Sequence, residues 1–163
     1  MNFFGVSSKH MWHFGDGATK KNRNKIKKKI KKLNKKKEFD TVITYERFGI
    51  YGHVDHTELA KIIHELHREG EFKQVYYATV PKRFEVFAGI RQSIHNLSLE
   101  AFSQSEKAEV KITIFDVVLV KYLAAKKYKS QKLGYGLPLF LLVVLMPFEY
   151  YTTTFTSENQ NQT

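Results

Sequence analysis

Ile26, Ile30 and Leu33 recur at spacings of four and three in a stretch otherwise dominated by lysine. That period predicts a helix over 20–37 with one narrow apolar stripe. Asp16-Gly17 reads as a turn ahead of it, with Thr19 placed to cap. Residues 39–45 follow, with Thr41, Val42, Ile43 and Thr44 in an unbroken β-branched run, which predicts a buried strand. A glycine-bearing loop over 46–55 leads into a second helix from near His56 to Arg68. Its Leu59, Ile62, Ile63 and Leu66 share one face. Gly70 ends that helix, 72–78 reads as a second strand, and Pro81 breaks the chain. In 82–105, Phe84, Phe87, Ile90, Ile94 and Leu97 fit helical spacing. Residues 110–115 are β-rich, and Asp116 is placed to cap a helix over 117–131.

Helix, strand, loop, helix, strand is the alternation of an α/β domain. It predicts a Rossmann-like, mainly parallel sheet with flanking helices over 1–155, followed by a polar tail, 156–163, that frays. In such sheets ligands sit outside the carboxyl ends of strands, so chemistry is expected where strand 39–45 feeds its loop. The longest apolar run, 137–146, contains Pro138 and is closed by Pro147. It is about half the roughly 20 residues a membrane-spanning helix needs, so it reads as a buried strand or core segment, with no transmembrane segment expected. Residues 1–6 are apolar but short and lack a basic flank, which does not describe a secretory signal. With no cysteine in the chain, a cytoplasmic location is expected, and a disulfide scaffold, a thiolate zinc site and a cysteine nucleophile are excluded.

Charge changes the picture locally. The 163 residues hold 27 Lys+Arg against 16 Asp+Glu, a formal charge of +11. Twelve of those bases lie between Lys20 and Lys37 with no acid among them, and the other 15 meet all 16 acids. The chain is a near-neutral domain carrying one very basic helix. An alternative function is therefore binding of nucleic-acid phosphates or an anionic surface by that helix, with strong salt dependence. The helix lacks interleaved aromatics and a base-reading motif, so no specific nucleic-acid partner is expected.

The loop after strand 39–45 reads Tyr45-Glu46-Arg47-Phe48-Gly49-Ile50-Tyr51-Gly52-His53-Val54-Asp55-His56. Side chains three apart at a helix start lie on one side, so His53 and His56 can address one small volume beside Asp55. Neutral imidazole is a common zinc ligand, and a neighbouring carboxylate can orient it. The competing reading is a capping cluster in which Asp55 accepts backbone N–H bonds from the helix start. His64 and His67 lack the spacing of a metal-binding helix pair and read as solvated, while nothing fixes His10 and His13 near Trp12.

These residues resemble the second signature of the LmbE/PIG-L deacetylases, zinc-dependent hydrolases that remove acetyl from N-acetylglucosamine-containing compounds. That pattern is a strand ending in Thr, a glycine loop, then Gly-His-Pro-Asp-His opening a helix; Thr44, Gly52, His53, Asp55 and His56 match it, with Val54 in place of the proline. Phe4-Gly5-Val6 and Asp16-Gly17 resemble the approach to the motif. Ile114-Phe115-Asp116, Lys121, Ser130-Gln131 and Glu149-Tyr150 resemble later elements, with Tyr128 where a histidine is common. The resemblance implies that His56 is a zinc ligand and that His53 stabilises the tetrahedral intermediate or protonates the leaving amine. It further implies that Asp55 supports that histidine, that Tyr51 polarises the scissile carbonyl, and that the substrate is an N-acetylated amino sugar. The family's first signature, Ala-His-Pro-Asp-Asp-Glu, which supplies two more zinc ligands and the general base, does not occur in this sequence. The chain is therefore expected to be an N-terminally truncated, C-terminal part of such a deacetylase, lacking the family's first strands. Little activity alone is expected, with self-association or pairing with an N-terminal part through the strand edge left open.

Overall fold

The computed structural model describes residues 5–81, 104–127 and 147–155. The helical prediction within 82–105, the apolar run 137–146, Tyr128, Ser130, Gln131 and the tail lie outside the described residues.

The lysine-rich segment forms α1, Arg23–Lys37. Its apolar stripe faces inward: Ile26 is buried, and Ile30 and Leu33 are half-buried. Asn34 closes the helix by accepting the N–H of Phe39 at 2.9 Å and donating to the carbonyl of Glu71 at 2.6 Å. Thr19 does not cap α1, whose N-cap is Asn22; the Thr19 N–H donates to Asp55 instead. Strand β1, Thr41–Tyr45, leads into α2, a single helical turn over Gly49–Gly52, and then α3, Val54–Arg68. The face of α3 read from sequence is the packed one, with Ala60, Ile62, Ile63 and Leu66 buried. Gly70, at a φ of 80°, ends the helix, and the N–H of Glu71 returns to the carbonyl of Leu66 at 3.0 Å. Strand β2, Gln74–Thr79, then lies parallel to β1, with Val42 opposite Val75 and Thr44 opposite Tyr77. β1–α3–β2 is thus a crossover unit, as the alternation of patterns requires.

Three cations of α1 and four acids of α3 and the turn after it build a ladder. Arg23 pairs with Glu58 and Glu65, Lys27 with Glu65 at 3.2 Å and Glu69 at 2.5 Å, and Lys31 with Glu69 at 2.7 Å and Glu71 at 3.3 Å. The acids of α3 and of the turn that ends it pair with the edge of α1 that faces them.

Strand β3, Val110–Thr113, is followed by a 3-10 turn, Phe115–Val117, helix α4, Val118–Lys127, and strand β4, Phe148–Thr152. The sheet order is β1-β2-β4-β3. β4 runs antiparallel to β2, with Tyr77 opposite Thr152 and Thr79 opposite Tyr150. Bonds from Glu109 N–H to Tyr151 O and from Ile114 N–H to Pro147 O set β3 antiparallel to β4 as well. The fold is mixed α/β, and the expectation of a mainly parallel sheet is corrected: among the described strands only β1 and β2 are parallel. Antiparallel partners need no crossover helix, and nothing in the β-rich pattern of 110–113 distinguishes the two senses.

The chain divides into two compact units, Phe14–Val110 with Tyr150–Thr163 and Met1–His13 with Lys111–Glu149. The first holds α1, α3, β1 and β2. In the second, Lys121 pairs with Glu149, and Lys111 sits 3.6 Å over the Phe148 ring.

The expectation that strand 39–45 is buried on both faces is also corrected. β1 ends the described sheet, and while Thr44 is buried, Ile43 on the opposite face is 62% exposed. A continuous β-branched run signals strand conformation, but only neighbours decide whether both faces are covered. No helix among the described residues is long and apolar enough to cross a membrane.

Candidate functional site

The loop 46–56 is held from below by a residue that pattern reading passed over. Glu46 is fully buried, and its carboxylate accepts the N–H of Phe48 at 2.9 Å and of Ile50 at 2.6 Å. Burial pushes its pKa up, against the pull of those two donors and with the Glu106 carboxylate adding to the rise. Its own N–H continues the ladder to Ala78 O at 3.1 Å, so the strand ends and the bend begins at one residue. The sequence signal was an acid directly after a β-run and three positions before a glycine.

Gly49 makes the bend possible. It has a φ of 66°, and a Cβ there would meet His56 Cβ at 2.8 Å and Thr57 N at 3.1 Å. The backbone therefore lies directly against the first turn of α3, within reach of the His56 ring.

That closeness sets the chemistry of His56. Its Nδ1 lies 3.3 Å from the Gly49 carbonyl, which can only accept, so Nδ1 carries the proton and the lone pair is at Nε2. Tyr45, the last residue of β1, stacks on this imidazole with centroids 3.8 Å apart and planes within 2°. His53 has the opposite arrangement. It is the N-cap of α3, and its Nδ1 accepts the N–H of Asp55 at 3.2 Å, so the neutral ring carries its proton on Nε2. That Nε2 is 3.8 Å from Asp16 Oδ1. The two rings are 4.8 Å apart, tilted by 38°. The loop thus brings together the two imidazoles read from sequence, one presenting a lone pair and the other an N–H.

Asp55 is a capping acid, but not for its own helix. Its carboxylate accepts the N–H of Gly17 at 2.7 Å and of Thr19 at 3.0 Å. Burial pushes its pKa up, but the Thr19 and Gly17 donors outweigh that and hold it below the usual carboxylate value. It clamps the turn ahead of α1 onto the start of α3. Tyr51 has its backbone in α2, and its side chain lies outside what is described.

His64 and His67 are structural rather than solvated. His64 Nδ1 is 3.1 Å from the Tyr77 hydroxyl and its ring stacks on Phe155 at 4.2 Å; His67 Nδ1 donates to Phe72 O at 2.9 Å. Helix periodicity placed them beside the apolar face, and a ring there finds partners in the strand beneath. His10 and His13 are exposed.

The donor set does not fit a zinc ion by itself. His56 offers one lone pair, His53 presents a proton, and both Asp55 oxygens are engaged by backbone donors. Among the described residues no group of three ligating side chains gathers. A catalytic zinc site takes three protein ligands.

Burial holds the His56 pKa below the ordinary imidazole value, with His53 adding to the fall and the Gly49 carbonyl, Asp55 and Asp16 opposing it. Burial lowers that of His64 too, with Arg68 and His67 adding and Glu65 opposing. The unfolded chain takes up protons at both sites at higher pH than the folded one, so acidification through the imidazole range favours unfolding. Melting midpoints are expected to be lower at about pH 5 than at about pH 7.5, where both rings are neutral in either state. Equal midpoints would refute the burial of these rings.

No protein-family model matches the chain, and neither does any curated protein or solved structure.

Proposed function

We propose that loop 46–56 is the proton-donating and single-ligand half of an amide-hydrolase site of the LmbE/PIG-L deacetylase type, directed at the acetamido group of an N-acetylated amino sugar. The observation that carries this reading is the complementary pair of tautomers: His56 with its lone pair at Nε2 and His53 with its proton at Nε2, on rings 4.8 Å apart. Amide hydrolysis needs both, an acid for the departing amine and donors for the oxyanion. His53 Nε2–H serves as that donor, with Asp16 Oδ1 3.8 Å away. Asp55 holds the start of α3 in place, and Tyr51 is assigned to the scissile carbonyl.

The rest of the site has to come from outside the described residues. β1 supports a place for it: it is the edge of the described sheet, with one face open. A strand supplied by another polypeptide would extend the sheet beside the loop, and in its absence the same edge favours self-association. In this reading the sheet becomes Rossmann-like around the β1–α3–β2 unit only once that strand is added.

The test measures zinc content and acetate release from N-acetylglucosamine conjugates, first for this chain alone and then with a polypeptide carrying a His-Pro-Asp-Asp strand. The chain alone is expected to hold no stoichiometric zinc and to release no acetate. The mixture is expected to do both, and to lose both on His56→Ala. Turnover by the chain alone would overturn the half-site, and an inert mixture would overturn the assignment.

A further inference from the structure

We propose that the outward face of α1 binds the phosphate backbone of a double-stranded nucleic acid without reading its sequence. The helix has two sides of different character. Toward α3, Arg23, Lys27 and Lys31 are consumed by Glu58, Glu65, Glu69 and Glu71. On the other side, Lys25, Lys28, Lys29, Lys32, Lys35 and Lys36 fall within an arc of about 120° at roughly 100° per residue. All six are exposed. Among the described residues, no acid pairs with Lys25, Lys28, Lys32, Lys35 or Lys36.

A helix that merely needs solubility carries mixed charge. Here like charges stand at i,i+3 and i,i+4 (Lys25 with Lys28 and Lys29, Lys28 with Lys32, Lys32 with Lys35 and Lys36), each pair costing about 0.2–0.5 kcal/mol in the free protein. A polyanion lying along the face removes that repulsion. The ion-pair ladder on the opposite edge fixes the helix to α3, so the lysines are presented on a rigid element about 16 Å long from Lys25 to Lys36 at 1.5 Å per residue.

The chemistry of the face selects the partner. An anionic membrane is gripped by a helix that also buries apolar side chains, and Ile26, Ile30 and Leu33 point the other way, into the protein. Single strands are held by aromatic stacking, and no aromatic residue stands in 20–37. What remains is a row of cations suited to a regularly spaced row of phosphates, in DNA or RNA duplexes alike.

The experiment follows fluorescence anisotropy of labelled DNA and RNA duplexes of two unrelated sequences against the full chain across a salt series, with phosphatidylserine vesicles as a separate arm. Contacts from Lys25, Lys28, Lys32, Lys35 and Lys36 predict a slope of log K against log salt of about −4.5 on DNA, equal for both sequences. The variant Lys25→Gln/Lys28→Gln/Lys32→Gln/Lys36→Gln, which keeps the ladder, should flatten the slope by about 3–4 and weaken binding about a thousandfold at roughly 0.15 M salt. A second variant, Lys9→Gln/Lys73→Gln/Lys107→Gln/Lys127→Gln, removes the same charge from exposed positions elsewhere and should bind as the parent does. Equal losses in the two variants, an unchanged slope in the first, or capture by vesicles in preference to duplexes would each overturn the proposal. A thermal melt of the first variant, expected at or above the parent midpoint, shows that any loss is not unfolding.

Discussion

Gly49→Ala is expected to lower stability by about 2–4 kcal/mol, from a left-handed backbone that costs a non-glycine residue roughly 1–2 kcal/mol and a steric clash of similar size. The clash follows from the geometry: the added methyl would lie 2.8 Å from His56 Cβ and 3.1 Å from Thr57 N, and the latter is backbone that cannot swing aside. Gly70→Ala is the control. It has a φ of 80° with nothing within 4 Å of the new Cβ, so only the conformational part applies, about 1–2 kcal/mol. Urea unfolding of both variants measures the difference, and equal losses would show that Gly49 does not lie against the helix. The change also pushes the Gly49 carbonyl off His56 Nδ1. With that bond gone, the half-site proposed above should lose its zinc-dependent behaviour in the complemented mixture.

Leu66→Ala is expected to cost about 2–5 kcal/mol, the range for emptying a fully packed leucine site. Leu66 is 0% exposed, and its backbone carbonyl receives the N–H of Glu71 where α3 ends. Helix α3 packs on both β1 and β2, so this residue secures the crossover unit as a whole. It is about 20 Å along the helix from His53, at 1.5 Å per residue, so the loss should be in stability alone, leaving the imidazole pair as it is. A lowered urea midpoint with unchanged His53 and His56 resonances would bear this out; a shift of those two would mean that the loop depends on packing at the far end of the helix.

What pattern reading recovered was local. The apolar period of 26–33 and 59–66 placed α1 and α3 with the correct inward faces, because burial of a stripe is a property of one helix. His53 and His56 were brought together as expected, since three residues at a helix start leave little freedom. The direction of β4 and β3 was not legible, because strand sense is set by partners distant in sequence. Asp55 was readable as a capping acid, but its recipients, Gly17 and Thr19, lie 38 and 36 positions away. Glu46 was missed for a related reason: a buried carboxylate is identified by what surrounds it, and its sequence neighbours alone did not reveal that the loop folds back over it. His64 and His67 read as surface residues in the sequence because their partners, Tyr77 and Phe72, belong to the following segment.

The face-to-face stack of Tyr45 on His56 gives this imidazole an internal spectroscopic label. His64 stacks on Phe155, but the ring over His56 is the Tyr45 phenol, which from 3.8 Å away shields the His56 ring and displaces its signals upfield. Its protonation can then be read in isolation by proton NMR, and the Tyr45→Leu chain, in which that shielding vanishes, supplies the assignment.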